Sequence, residues 1–169
     1  MVKKLNKTEN LAMRKNWEPP PPSFNPSVPK NETAEKAVIA CLLTGASPTV
    51  VPLTEAHFFF RDHKLIFLAA LSLAQKGVPI DIMTVRAELE LRKELENAGG
   101  DPSRFLQYTG GGNAVLEYYY AILEDARKNR DAVLYISSRI QDLIDLRLDA
   151  SEFVVQLEGI VSGYKKQEY

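Results

Sequence analysis

From Val115 to Leu143 the apolar residues keep one spacing. Val115, Tyr119, Ile122, Ala126, Asn129, Val133, Ile136, Ile140 and Leu143 are separated alternately by four and three residues, and Asn129 is the polar member of the series. This is a heptad seam held for about four heptads. It predicts one helix of about 33 residues, beginning near Asn113 and running roughly 50 Å. Such a rod is longer than a compact domain of 169 residues needs, so it must project from a smaller body. After the joint Leu146–Leu148, Asp149 and Glu152 make a capping-box pattern, and Ala150, Val154, Leu157, Val161 and Tyr164 continue a four-three seam. Two seams joined by a short connection predict an antiparallel helical hairpin over residues 113–169.

The hairpin carries more apolar residues than its own seam can hide. Leu134 and Ile144 fall off the first seam, and Phe153 and Ile160 fall off the second. Coverage of this second apolar stripe by another copy of the chain is preferred over packing back on the body, so these four residues form the candidate self-association interface. Asn129 can set register there, or mark a kink or an exposed position where the arm leaves the body.

Residues 31–112 read as a globular helical body. Asn31 caps a helix over about 32–44 whose stripe is Ala34, Ala37, Val38, Cys41 and Leu42. Three adjacent aromatics, Phe58 to Phe60, cannot share one face, so at least one tucks under each flanking helix. Asp62 is placed to cap a helix over 62–76 that carries Leu65, Ile66, Ala69 and Leu73. Gly77 follows where a left-handed residue is wanted, and Pro79 stops the helix. Asp81 opens a second helix over 81–97, and Gly99-Gly100 closes it. Asp101-Pro102 opens a short third helix anchored by Phe105 and Leu106. The fold class is therefore all-α: a body of about five or six helices followed by a two-helix arm.

Charge separates the leader from the rest. The chain's net charge is −1, yet residues 1–30 hold Lys3, Lys4, Lys7, Arg14, Lys15 and Lys30 against Glu9 and Glu18, which leaves an acidic remainder. Those thirty residues also hold six of the ten prolines, too little apolar matter to offset their ordering entropy, and read as a disordered leader. A solvated tail is preferred over a DNA contact for it, and Trp17 is expected to pack on the body or on a partner. The single cysteine, Cys41, cannot form an internal disulfide. With no apolar run long enough to span a membrane and no secretory signal pattern, a cytoplasmic location is expected.

Residue patterns for chemistry are missing. Thr109-Gly110-Gly111-Gly112 lacks the preceding strand and following Lys-Ser/Thr of a phosphate loop, so it reads as a joint. His57 and His63 are six apart and too few to hold a metal. The pairs Glu88/Glu90, Glu94/Glu96 and Glu124/Asp125 interleave with Arg and Lys as on solvated helix faces. No catalytic, cofactor or metal residue is expected in this chain.

Five features, in order, resemble one family. They are the opening helix with Pro29, Asn31, Ala34-Glu35, Ala37-Val38-Ile39 and Leu42-Leu43; the run from Phe58 through His63, Ile66-Phe67 and Gly77-Val78-Pro79-Ile80-Asp81; Gly99-Gly100; Phe105-Leu106; and Asn113, then Tyr119 or Tyr120, and Arg130. Over roughly residues 29–165 the chain resembles the amino-terminal domain of DnaB-type replicative helicases. The resemblance implies a non-catalytic collar that pairs through its hairpins into a dimer or ring, offers a surface to the carboxy-terminal domain of primase, and influences the helicase loader. ATP and magnesium would belong to a separate motor domain outside this chain. Two other readings stay open: a stand-alone domain that binds and modulates a host helicase or primase, and the helicase-binding module of a primase. His57 stands where an acidic residue is usual before the first aromatic, and the Gly100–Asn113 interval is short, so primase contacts are not carried over to single residues.

Overall fold

The protein is described from a computed structural model covering residues 27–108, 112–145 and 147–165, with side chains to residue 159. The leader up to residue 26 with Trp17, the glycine joint 109–111, Leu146 and the side chain of Ile160 lie outside the described residues. Among those described, five α-helices and two 3-10 segments occur and no strand: α1 Glu32–Leu43, the 3-10 turn Glu55–His57, α2 Arg61–Gln75, α3 Ile82–Leu91, the 3-10 segment Pro102–Tyr108, α4 Asn113–Ile144 and α5 Ala150–Lys165.

The core forms around α1 because that helix is apolar on nearly every side. Asn31 Oδ1 accepts from Ala34 N at 3.0 Å and starts it. Ala37, Val38, Ile39, Ala40, Cys41 and Leu42 are all buried, enclosed by α2, α4 and the Pro102–Tyr108 segment. Removing apolar side chains of this size from water contributes about 1.5–3 kcal/mol each for the larger ones. Phe58 goes under α2 and stacks on Phe67 with ring centroids 5.0 Å apart, whereas Phe59 stays exposed and Phe60 half-buried.

Helix ends follow one device. After α2, Gly77 takes φ +69°, Val78 N donates to Leu73 O at 3.0 Å, and Gly77 N donates to Ala74 O at 3.1 Å. Those two bonds satisfy carbonyls the helix leaves open. Asp81 Oδ1 then accepts from Thr84 N at 2.8 Å while Thr84 Oγ1 accepts from Asp81 N at 2.9 Å, starting α3.

Several boundaries differ from the sequence expectation. Asp62 does not cap α2: the helix begins at Arg61, its cap position is Phe60, and Asp62 sits in the first turn bonded to Arg104. The second helix of the pair ends at Leu91 rather than near residue 97. Lys93 takes φ +58° and Glu94 N donates to Leu89 O at 2.8 Å, the same closure as at Gly77 but with a lysine in the left-handed position. The turn lets Ala98 fold back into the core, and Gly99 and Gly100 close the stretch that follows rather than α3 itself. Leu106 is 36% exposed, so Phe105, with the buried Pro102, anchors the Pro102–Tyr108 segment.

The long helix is present, at 32 residues. Its first half belongs to the body, because Leu116 and Leu123 are fully buried in the shared core and Arg130 continues that line seven residues on. The division placed after residue 112 therefore cuts through packed structure. Asn113 is the exposed first residue of α4, following Gly112 at φ +85°.

Candidate interaction surfaces

Three buried or half-buried polar clusters position the elements, and exposed apolar side chains lie on the arm and, as Met83 and Leu91, on α3. The first cluster centres on Glu35, fully buried in the first turn of α1. Its carboxylate accepts from Phe59 N at 2.7 Å, Phe60 N at 3.3 Å and His63 Nδ1 at 2.8 Å. Glu35 thus ties the two residues that lead into α2, Phe59 and Phe60, to α1, while no side chain caps the first-turn amides of α2 itself. The second cluster ties α2 to α3. Glu88 accepts from Lys76 Nζ at 2.8 and 2.9 Å, Ser72 Oγ at 2.9 Å and Arg92 Nε at 3.0 Å. The Lys76 ammonium, then Ser72 and Arg92, hold the Glu88 carboxyl down at about 2.

The third cluster fastens α4 to the 54–57 turn. His57 Nε2 meets Glu124 Oε2 at 3.0 Å, while Nδ1 accepts from Thr54 N at 3.0 Å. Because an amide N–H can only donate, Nδ1 is the bare nitrogen and Nε2–H donates to Glu124. Burial pushes the His57 pKa down, against the pull of Thr54 and Glu124. The Arg127 guanidinium, with hydrogen bonds of 2.7 and 2.8 Å, is the main reason Glu124 sits at about 2.

These shifts fix the acid behaviour. Glu88 and Glu124 have folded values below their ordinary 4.5, so the folded state binds fewer protons than the unfolded one below that pH. Their stabilisation is complete above about pH 4.5 and is lost as pH falls through about 2. His57 has the same sign for a different reason: the folded state resists a proton that the unfolded chain takes up below 6.5. Urea midpoints are therefore expected to fall in two stages on acidification, first below pH 6.5 and then from pH 4.5 downward. Glu88→Gln should be less stable than the parent at neutral pH and show a shallower second stage. An unchanged second stage in that variant would remove Glu88 as its source.

The arm residues do not all fall where the sequence placed them. Leu134 is 50% and Ile144 is 53% exposed. Phe153 is half-buried together with Leu157, whereas Val154 and Val155 are exposed. The contact line of α5 keeps Leu157 from the Ala150–Val154–Leu157 reading but takes Phe153 in place of Val154. Asp149 Oδ1 starts α5 by accepting from Ser151 N at 2.8 Å and Glu152 N at 2.9 Å. On α4 the buried line is Leu116, Leu123 and Arg130, one residue off the predicted seam, whose Val115, Tyr119 and Ile122 are half-buried against the core. Asn129 is exposed. Tyr135 and Val155 complete the outer surface and were not anticipated, although each is the apolar neighbour of a residue that was.

Among the described residues, no three His, Cys, Asp or Glu gather to hold a metal ion, and no helix is long and apolar enough to cross a membrane.

Residues 27–125 match the family model described as the DnaB-like helicase N-terminal domain. The chain is 31% identical, over 139 residues, to the replicative DNA helicase DnaB of Geobacillus stearothermophilus; the match covers 73% of this chain and 30% of that protein. It therefore spans under a third of that relative's length. In fold it is similar to the crystal structure of the N-terminal domain of DnaB helicase from Mycobacterium tuberculosis, with a TM-score of 0.64 at 22% identity over 81% of this chain and 99% of the other. It is also similar to a DnaB-like replicative helicase solved in a study of its interactions with primase, with a TM-score of 0.60 at 23% identity over 78% of this chain and 31% of the other.

Proposed function

We propose that this chain, which belongs to the family of DnaB-like helicase N-terminal domains, is the non-catalytic end of a cytoplasmic replicative helicase. In this reading it assembles with copies of itself through the arm and recruits primase, with the loader as a further partner. ATP and magnesium act on a separate motor domain. One observation carries the assembly role: Leu134, Ile144, Val154 and Val155 expose an apolar surface on an arm whose inner face is already used against the body and against itself. Primase as partner is supported by the fold shared with a helicase studied with primase.

The test of assembly is Leu134→Asp with Ile144→Asp. Both residues are at least half exposed, so the variant should fold. Sedimentation equilibrium is expected to give a concentration-dependent mass above 19.0 kDa for the parent and the monomer mass for the variant. Equal masses for the two proteins would refute the arm as the assembly surface. Calorimetric titration with the carboxy-terminal domain of the same organism's primase tests recruitment. Saturable binding supports it, and no heat at high micromolar concentration removes primase as a direct partner.

A further inference from the structure

Met83 and Leu91 are the two most exposed large apolar side chains among the described residues, at 72% and 76%. They stand two turns apart on α3 with the exposed Ala87 midway, so the three share one face, while Val85 and Leu89 on the opposite face fill the core. That spacing puts the two large side chains about 12 Å apart along the helix. Ala87 offers only a methyl between them, which leaves a shallow apolar notch with a flat floor.

Charge rims the notch. On one side Glu90 Oε1 lies 3.0 Å from Arg86 Nε, and Arg86 also reaches Asp101 at 3.7 Å. On the other, Lys76 and Arg92 both converge on the buried Glu88. From Lys76 to Asp101 six acids stand against four cations, so the stretch that carries the notch is acidic on balance. An occupant that is flat, apolar and set among cations fits it best.

One segment of the chain has that chemistry. Residues 1–26 carry Lys3, Lys4, Lys7, Arg14 and Lys15 against Glu9 and Glu18, and they hold the only tryptophan, Trp17, within three positions of Arg14 and Lys15. The chain enters the body where Arg130 donates to Pro29 O and Lys30 Nζ lies 5.1 Å from the Phe59 ring centroid. Ten residues from Ser27 back to Trp17 span at most about 36 Å. A body of about 100 residues has a radius of gyration near 13 Å, so α3 is within reach. A tether of this kind supplies an effective concentration on the order of millimolar, which a free partner would have to match.

We propose that the basic leader seats Trp17 in the Met83–Ala87–Leu91 notch of its own chain. The indole face lies on Ala87 between the Met83 thioether and Leu91. Its N–H has an acceptor in the Glu90 oxygen that Arg86 does not use, and Arg14 and Lys15 answer the acidic balance of the rim. The leader then covers α3 and leaves the arm free, and a partner that needs this face of α3 has to displace it.

Because Trp17 is the only tryptophan, the fluorescence of the full 169-residue chain reads the contact directly. The expected result is a blue-shifted emission and acrylamide quenching several-fold weaker than for N-acetyltryptophanamide. Met83→Asp with Leu91→Asp changes exposed positions only, so circular dichroism should match the parent while emission and quenching move to those of the free compound. The Leu134→Asp, Ile144→Asp variant should keep the parent's emission, which separates this contact from the assembly surface. A parent as freely quenched as the free compound, or an emission that the Met83 and Leu91 substitutions leave unchanged, overturns the proposal. So does a red shift in the arm variant, which would place Trp17 on the arm.

Discussion

Replacing Glu35 with alanine is expected to lower the unfolding free energy by about 3–5 kcal/mol, a large share of a small domain's stability. The carboxylate is fully buried, and three donors converge on it: Phe59 N, Phe60 N and His63 Nδ1. Truncation leaves the part-buried Phe59 and Phe60 amide hydrogens ahead of α2 and the buried His63 imidazole N–H without their acceptor. It also opens a cavity beside α1, the most enclosed helix of the fold. Glu35→Gln keeps one acceptor but turns an amide NH₂ toward a donor, so it should fall between parent and alanine. Urea denaturation of the single variants and of Glu35→Ala with His63→Ala measures the coupling. If the double variant loses as much as the two singles added together, the pair is not the unit described here.

What could be read from the sequence was chemistry confined within a few residues. Gly77 and Asp81 each act on amides or carbonyls three to five positions away, so the corner between α2 and α3 is visible in the string Gly77-Val78-Pro79-Ile80-Asp81. Asp62 looked like a cap by the same local logic, but the acceptor that serves the residues leading into α2 comes from Glu35, some 25 residues earlier. The available signal was a carboxylate flanked by Ala34, Ala37 and Val38 in a helix whose solvent-facing residues are confined to its first turns. The arm shows a second kind of limit. A four-three spacing fixes the period and length of α4, but not which residue beside the seam lies deepest. That is decided by the body pressing on Leu116 and Leu123, and by α5 approaching through Phe153 and Leu157. The end of α3 shows a third, since Lys93 adopts a conformation its type rarely takes because Ala98 must return to the core.

Arg130→Ala is expected to cost about 2–3 kcal/mol, and its effect should be local before it is global. Arg130 is 8% exposed, seven residues beyond Leu123 on the face of α4 that meets the body. Its guanidinium donates to Pro29 O at 3.2 Å and to Ala56 O. Neither carbonyl belongs to an α-helix, so neither has another regular partner. One side chain thus fastens α4 both to the stretch that leads into α1 and to the turn that carries His57. Two charge-assisted bonds are lost on truncation, partly offset because a desolvated charge goes with them. Lysine keeps the charge but not the fork, so Arg130→Lys should retain one bond and lose roughly half as much. Hydrogen exchange is the sharper measurement. The Phe58 amide, bonded to Glu55 O inside that turn, should exchange faster in Arg130→Ala while amides of α1 keep their protection. Uniform loss across both would mean that Arg130 supports the whole core, not the join between body and arm. A stability change below about 0.5 kcal/mol would mean that desolvation cancels both bonds and that Leu116 and Leu123 alone hold α4 in place.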